Sequence, residues 1–474
     1  MLNITAPVAV AVLSMALNPF AVPALAASAS PTPVEFTNFA PLNSNAVSDA
    51  GNDLAASVAT DSAGTWIVVW QSNSTADGKV GSDYDIFLTR STDDGKHWSK
   101  PTAVNSNAGD DVYDDTRPHI ATDAKGRWVV IWTSNNPMGE RLGLDPDLLV
   151  AYSKDAGASW SAPEPLYKAG ADDDLVETGV SIATDGRGTW GAAFAAGSIT
   201  DSEALRRNLY VTRRTKGAVG WTDPVQVNPT INTERRTDNT GPTLAITPDG
   251  TWVVVWRNFT ADIADVYESR SNDDGKTWTG MQTLYPLAGK SHTNSGPRLA
   301  HAGKEWMCTW VSADFDARRL GADQDLVFVH SADAGKTWSP PKELNADAAT
   351  DTRHSRDELA RVAGGAAAGW LTVWARQDDQ KTHGRDVDLR ASYSADGKTW
   401  SEPFFVNSDA TTDRDHDLGP VVTADGKGTW LVVWTRAALN GGPTGKDRDL
   451  FFSVGRRRQS ESNGSGTHAA TPSP

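Results

Sequence analysis

The sequence predicts an all-β fold, a β-propeller of four-stranded antiparallel blades, seven in number, with an N-terminal strand closing the last blade. Three observations lead there. The phrase GTWIVVW at 64–70 returns as Trp128 to Trp132, Trp190 to Phe194, Trp252 to Trp256, Trp306 to Trp310, Trp370 to Trp374 and Trp430 to Trp434, with the first four copies spaced by 62 residues. Each copy leads through a polar loop to a second apolar segment, such as DIFLTR at 85–90 or DLVFVH at 325–330, and in most units to a recurring turn. The seventh unit stops at FFSVGRRR (451–458) without a turn or fourth strand, whereas VEFTNFAPLNSNA (34–46) matches the run that ends in VNSNA (104–108).

Each element follows from its residues. Large apolar residues interleaved with Val and Ile fit a strand buried on both faces. The turn reads STDDGKHW (91–98), SKDAGASW (153–160), SNDDGKTW (271–278), SADAGKTW (331–338) and, one residue shorter, SADGKTW (394–400). Its glycine permits the positive φ of a tight hairpin, and its Asp can accept N–H bonds from its own turn. A residue written in every blade is scaffold before it is catalyst, so Asp93, Asp155, Asp273, Asp333 and Asp396 are expected to hold the turns. The third copy, RTKGAVGW (214–221), loses the Ser and the Asp and keeps the Trp. A short strand ending at Val104-Asn105, Val227-Asn228 or Val406-Asn407 closes the unit. Four such strands, repeated seven times, make a ring, and a strand from the other end of the chain would cover its last edge. Consistent with that, Asn43 lies ten residues before Asp53, as Asn105 lies ten before Asp115. Seven tryptophans open the phrase, six close it and six end turns, which accounts for all 19 and leaves none over for stacking on sugars. They are expected to pack between blades, each ring contributing several kcal/mol at ~25 cal/mol per Å².

Composition excludes several classes. Lys+Arg of 44 against Asp+Glu of 60 gives a net charge of −16, so nucleic acid and anionic membrane are poor partners. The single cysteine, Cys308, excludes an internal disulfide framework and a cysteine-rich metal site. The nine histidines lack HExxH-type spacing and there is no Gly-rich strand–turn–helix, so neither zinc nor a nucleotide cofactor is expected. Residues 1–26 are apolar, and Ala24-Leu25-Ala26 fits a small-x-small cleavage site. They read as a signal peptide, which would make the protein secreted or periplasmic. No later apolar stretch reaches the ~18 residues of a membrane span. Residues 34–455 are expected to form one propeller domain, a monomer, and the polar stretch 456–474 a disordered tail.

The turn S-x-D-x-G-x-T-W is the Asp-box, or BNR repeat, and over 34–455 the chain resembles the sialidase (neuraminidase) superfamily of propellers. The resemblance implies an exo-α-sialidase-type glycoside hydrolase acting on sialylated or other acidic glycans. Members hold the substrate carboxylate with three arginines, use a glutamate-activated tyrosine as nucleophile and an aspartate as acid/base. Two departures weaken the parallel: catalytic members generally have six blades, and their aromatic-Arg-Ile-Pro motif before the first blade is missing, since the first arginine is Arg90. Asp-boxes also occur in non-catalytic propellers, so a module binding glycan or protein is the alternative. A carboxylate-pair glycosidase or a lyase is a further one.

The chemistry is expected on the rim opposite the Asp-box turns, where two acidic columns run. Asp53, Asp115, Glu177, Asn239, Asn294, Asp357 and Asp417 open the innermost strands; Asp85, Asp147, Asn208, Asp265, Asp325, Asp388 and Asp449 precede the third. These side chains either cap strand starts or, in the first column, form a carboxylate ring near the axis. Such a ring could recruit a structural calcium at Asp53, Asp115, Glu177, Asp357 and Asp417. Residues that break the repeat are better functional candidates. Tyr113 and Arg117 (VYDDTRPH), Arg235 and Arg236 (TERRTD), Arg353 and Arg356 (DTRHSRD) and Arg414 (DRDHD) share that rim, and Arg298 lies within the fifth inner strand. Guanidinium binds carboxylate bidentately, so Arg117, Arg236, Arg356 and Arg414 are the expected ligands of a substrate carboxylate, unless each only balances its acidic neighbours. By the resemblance, Tyr113 would be the nucleophile and Asp115 or Asp53 the acid/base. Tyr267 beside Glu268 offers a second tyrosine–carboxylate pair, placed in a strand.

Overall fold

Tryptophan-rich second strands need apolar cover on both faces, and a ring of blades supplies it. The computed structural model describes residues 33–47, 50–74, 83–109, 112–138, 145–168, 175–198, 207–228, 237–260, 263–284, 292–314, 324–345, 356–365, 368–377, 386–437 and 445–458. The expected signal peptide, most of the expected tail, and Arg235, Arg236 and Arg353 lie outside the described residues.

Blade 1 runs from inside to outside through Asp53–Thr60, Trp66–Ser72, Asp85–Ser91 and Thr102–Ala103, all antiparallel. The same order recurs in the next five blades, whose inner strands are Asp115–Thr122, Leu175–Thr184, Thr237–Ile246, His292–Ala302 and Arg356–Gly364. Blade 7 has three strands of its own, His416–Ala424, Thr429–Ala437 and Arg448–Arg457. Its outer edge comes from the start of the chain. Pro41 pairs with Phe451 as Ala103 pairs with Phe87 in blade 1, and Val34–Phe36 extends the pairing to Arg457. Each inner strand touches the next, and the seventh touches the first, so the ring is closed.

The core is divided among the blade interfaces. Seven apolar clusters each join two neighbouring blades, the last pairing Leu431 and Val433 of blade 7 with Trp66, Val68 and Trp70 of blade 1. Eleven of the twelve largest fully buried side chains are tryptophans of the repeated phrase, and the twelfth is Phe194, its substitute in blade 3. That placement is the interblade packing expected of them.

One feature of the inner strands was not foreseen. All seven break register one residue after the acidic-column position, between Leu54 and Ser57 in blade 1 and between Glu358 and Arg361 in blade 6. The residue at the break has positive φ in every blade: Ala55, Arg117, Gly179, Gly241, Gly296, Leu359 and Gly419. This is a β-bulge, and the extra residue reverses the face to which the side chains beyond it point.

Candidate functional site

Side chains repeated around the ring are consumed by the scaffold. In Asp93 the carboxylate accepts from Ser91 Oγ and from the His97 amide, both at 2.9 Å. Asp155, Asp273 and Asp333 repeat the pattern from Ser153, Ser271 and Ser331, and Asp396 accepts from Ser394 and the Lys398 amide. These bonds hold the carboxyls below the usual range, with Asp155 and Asp333 brought down to about 2, chiefly by the Ser159 and Thr337 side chains.

The acidic columns stitch blade to blade. Asp53, Asp357 and Asp417 each accept the indole N–H of the tryptophan closing their own blade's phrase, at 2.7–3.0 Å from Trp70, Trp374 and Trp434. Asn239 and Asn294 do the same for Trp256 and Trp310. The second carboxylate oxygen takes an asparagine amide from the preceding blade. Asn105 donates to Asp85 at 2.7 Å and to Asp115 at 2.8 Å, Asn345 to Asp325 and Asp357, and Asn407 to Asp417. Asn43, from the N-terminal segment, joins Asp53 to Asp449 across the ring closure. Where blade 2 lacks the asparagine, the Tyr167 hydroxyl donates to Glu177. Asp53, Asp115, Glu177, Asp357 and Asp417 are thus buried at blade junctions, at most 1% exposed. That corrects two expectations. They form no carboxylate ring open to the axis for calcium, and Asp53 and Asp115 are sequestered from any substrate that would need an acid/base. Among the described residues, Glu177 of this column groups with Asp145 and Asp147 as residues that could hold a metal, and Asp386, Asp388 and Asp413 form a second such group, each with oxygens within 4.8 Å.

Residues that interrupt the repeat fare differently. Arg117 is exposed at the bulge of blade 2 with φ of 53°, where four other blades place glycine. Its amide donates to Gln71 Oε1 at 2.9 Å and its guanidinium reaches Thr178 Oγ1 at 3.3 Å, bridging blades 1 and 3. A cavity of about 390 Å³ opens beside it, lined also by Asp114, Asn135, Thr178 and Arg207. Arg207 is committed to Asp238 through two bonds of 2.9 and 2.6 Å, which raise its pKa. Tyr113 is half-buried next to Asp114, whose carboxylate accepts the Tyr84 amide at 3.0 Å. Arg356 and Arg414 are exposed. The aspartates flanking Arg414 do not balance it: Asp413 and Asp415 bond Arg436 instead, which also takes Asp409 at 2.7 Å. Tyr267 stacks on Trp256, and Glu268 accepts the Trp338 indole at 3.0 Å, so that pair belongs to the core.

Beyond the bulge lies a group that sequence reasoning did not assemble. Four residues after the column position stand Ser57, His119, Ser181, Thr243, Arg298, Arg361 and Val421. His119, in blade 2, is pushed down to about 4 by burial and by the charges of Arg298 and Arg361, from blades 5 and 6. Blades 5 and 6 lie across the ring from blade 2, and all three side chains stand at the first paired position after the bulge of their inner strands. Burial likewise pulls Arg298 down to about 10, and Arg361 is lowered by burial and by Arg298. Among the described residues their hydrogen bonds go to carbonyls, from Arg298 to Pro297 O at 2.8 Å and from Arg361 to Ala360 O at 3.0 Å. Among the described residues no carboxylate pairs with either. The available signal was the aligned offset of four residues, at which three blades carry basic side chains.

Residues 64–305 match the family described as BNR repeat-like domain. No curated protein matches the sequence. Among solved structures the chain is similar to a protein of unknown function from Dyadobacter fermentans, at 15% identity over 90% of this chain and 100% of that one, with a TM-score of 0.49. It is also similar to a Hadza microbial sialidase, at 13% identity over 81% and 75% of the two chains and a TM-score of 0.44. A leech intramolecular trans-sialidase gives 12% identity over 89% and 70%, with a TM-score of 0.42.

Proposed function

Because the chain belongs to the family of BNR repeat-like domains, we propose that it is a sialidase-like propeller that receives the acidic sugar of a glycan at the mouth of its axial channel. One observation carries this reading: Arg298, Arg361 and His119 occupy the same post-bulge position on the inner strands of opposite blades, with no carboxylate partner among the described residues. Desolvated guanidinium groups are costly unless an anion pairs with them. A carboxylate supplies that anion and can take two parallel N–H bonds from each arginine. Arg117 supports the reading from the mouth. Its left-handed backbone costs roughly 1–2 kcal/mol, and strain of that kind at an exposed cation next to a cavity marks a residue kept for a ligand.

Hydrolysis of an α-sialoside is the second reading, favoured by Asp114, which lines the same cavity as Arg117 and follows the half-buried Tyr113 in the chain. Tyr113 would be the nucleophile, and Asp114 would take the acid/base role that buried Asp53 and Asp115 cannot fill.

Calorimetric titration with sialyllactose and with lactose tests the first reading. Sialyllactose is expected to bind and lactose not, and Arg361→Ala to weaken sialyllactose by roughly tenfold to a hundredfold, the worth of a charged hydrogen-bonded contact. Equal binding of the two sugars, or none of either, removes the axial carboxylate site. Release of a fluorophore from an α-sialoside, lost in Tyr113→Phe, would add catalysis to binding.

A further inference from the structure

The third blade writes its turn with the charges reversed. Aligned with STDDGKHW, the turn RTKGAVGW places Arg214 where the other blades have Ser, Lys216 where they have the turn Asp, and Ala218 where they have Gly. The bonds that Asp93 or Asp155 makes cannot form there; the turn closes through the Ala218 amide on Thr215 O at 3.0 Å. Trp221 still anchors it, its indole donating to Tyr152 in blade 2 at 2.9 Å.

Ala218 also changes how the turn seats. In blades 1, 2 and 5 the glycine lets the turn press against the preceding blade. A Cβ there would meet Val454 at 3.3 Å from Gly95, Ile67 at 2.1 Å from Gly157 and Arg270 at 3.0 Å from Gly335. The third turn carries that Cβ on Ala218. Between blades 2 and 3 the Asp-box rim opens into a groove of about 970 Å³.

Five cations line this groove: Lys125 and Arg127 from the hairpin between the first two strands of blade 2, Lys154 from its Asp-box, and Arg214 and Lys216 from the reversed turn. None of them makes an ion pair among the described residues. The groove has two carboxylates, Asp155 and Glu164. Asp155 is spent on Ser153 and Ser159 within its own turn, and Glu164 stands at the Tyr152 phenol, whose proton burial holds up to a pKa of about 12. The Tyr152 ring lies under Arg214, 4.6 Å from its guanidinium carbon, and Trp160 adds a second aromatic wall.

We propose that this groove is a second binding site, for an anionic oligosaccharide bearing carboxylate or sulfate groups, on the face of the ring away from the axial channel. Unpaired cations around aromatic walls suit a sugar with acidic substituents, through charged hydrogen bonds and ring stacking. A short ligand fits better than a long polyanion or a membrane. The cluster acts over a Debye length of ~8 Å, whereas an extended polyanion would meet the field of a protein of net charge −16. The site owes nothing to the axial arginines, so the two proposals fail separately.

The test uses the whole chain and fluorescence anisotropy with three labelled probes: a heparin-derived tetrasaccharide, a galacturonate tetrasaccharide and a short single-stranded DNA. The variant Arg214→Ser/Lys216→Asp restores the Ser and the Asp of the other blades' turns and keeps Ala218. It is expected to melt no lower than the wild type, because the Ser–Asp bonds seen in five blades can then form. At 0.15 M salt the wild type is expected to bind an acidic tetrasaccharide and the variant to bind it at least ~10-fold more weakly, about 1.4 kcal/mol. Binding of both saccharides assigns the groove to carboxylate, and binding of the heparin fragment alone assigns it to sulfate. The proposal is overturned if the wild type binds neither saccharide, if the variant binds as tightly as the wild type, or if the DNA binds more tightly than both.

Discussion

Asp357 and Arg361 stand four residues apart on one inner strand, on either side of its bulge, and their surroundings are opposite. Asp357 is 1% exposed and accepts from the Trp374 indole, the Asn345 amide and the Arg376 guanidinium, at 2.7, 3.0 and 3.2 Å. Arg361 stands at the post-bulge position that Arg298 and His119 hold in their own blades, and among the described residues its hydrogen bonds reach only carbonyl oxygens. The first position is polar in all seven blades and the second is basic in three. A charge written into every blade has partners supplied by the same repeat. A charge written into a few has none, and what it meets must come from outside.

The largest expected effect breaks the repeated side. Asp357→Ala would take one carboxylate away from the Arg376 guanidinium, which is 6% exposed. Removing one partner of a buried pair costs roughly 3–5 kcal/mol. Arg361→Met on the other side of the bulge should change stability little or raise it by about 1 kcal/mol, since it removes a desolvated charge. Chemical denaturation of both variants checks the contrast, and equal losses would dissolve it.

Acid titration sharpens the same contrast. His119 is held neutral to about pH 4, against 6.5 in the unfolded chain. Between those values the unfolded state binds the extra proton, so stability falls as pH falls from 6.5 to 4, by at most about 3 kcal/mol. Asp155 and Asp333 have folded values of about 2. Their stabilisation is complete above the ordinary carboxylate range near pH 4 and is lost as pH falls from there towards 2. His119→Gln should therefore flatten the first window and leave the second, as read from melting temperatures between pH 7 and 3. A first window unchanged in that variant would mean that His119 does not sit between two cations.

Most of the fold was legible because its signals are covalently regular. The tryptophan phrase, the Asp-box and the stray N-terminal strand each repeat at fixed offsets, and ring closure follows from counting strands. The acidic columns were legible as columns and misleading as chemistry. Their partners were equally regular, with Trp70, Trp374 and Trp434 each seventeen residues after Asp53, Asp357 and Asp417, yet only the folded register shows indole meeting carboxylate. The channel group was hidden by the bulge. Simple alternation puts Arg361 on the same face as Asp357, and the extra residue undoes that. Glycine at the bulge in four blades, Gly179, Gly241, Gly296 and Gly419, was the trace it left in the sequence.

The smallest expected effect isolates the bulge itself. Arg117 and Leu359 are both exposed and both left-handed, with φ of 53° and 57°, at positions where glycine would be unstrained. Replacing either by glycine relieves a conformation costing roughly 1–2 kcal/mol and adds unfolded-state entropy worth about half of that. Each variant is therefore expected to gain a little under 1 kcal/mol in denaturant titrations. Binding of sialyllactose should separate them: Arg117→Gly loses a cation at the channel mouth and should bind more weakly, while Leu359→Gly makes the same backbone change without touching charge. Weaker binding in both would move the site from the guanidinium to the backbone of the bulge. Lower stability in both would show that the ring accommodates these side chains without strain, and Arg117 would then need no ligand to account for it.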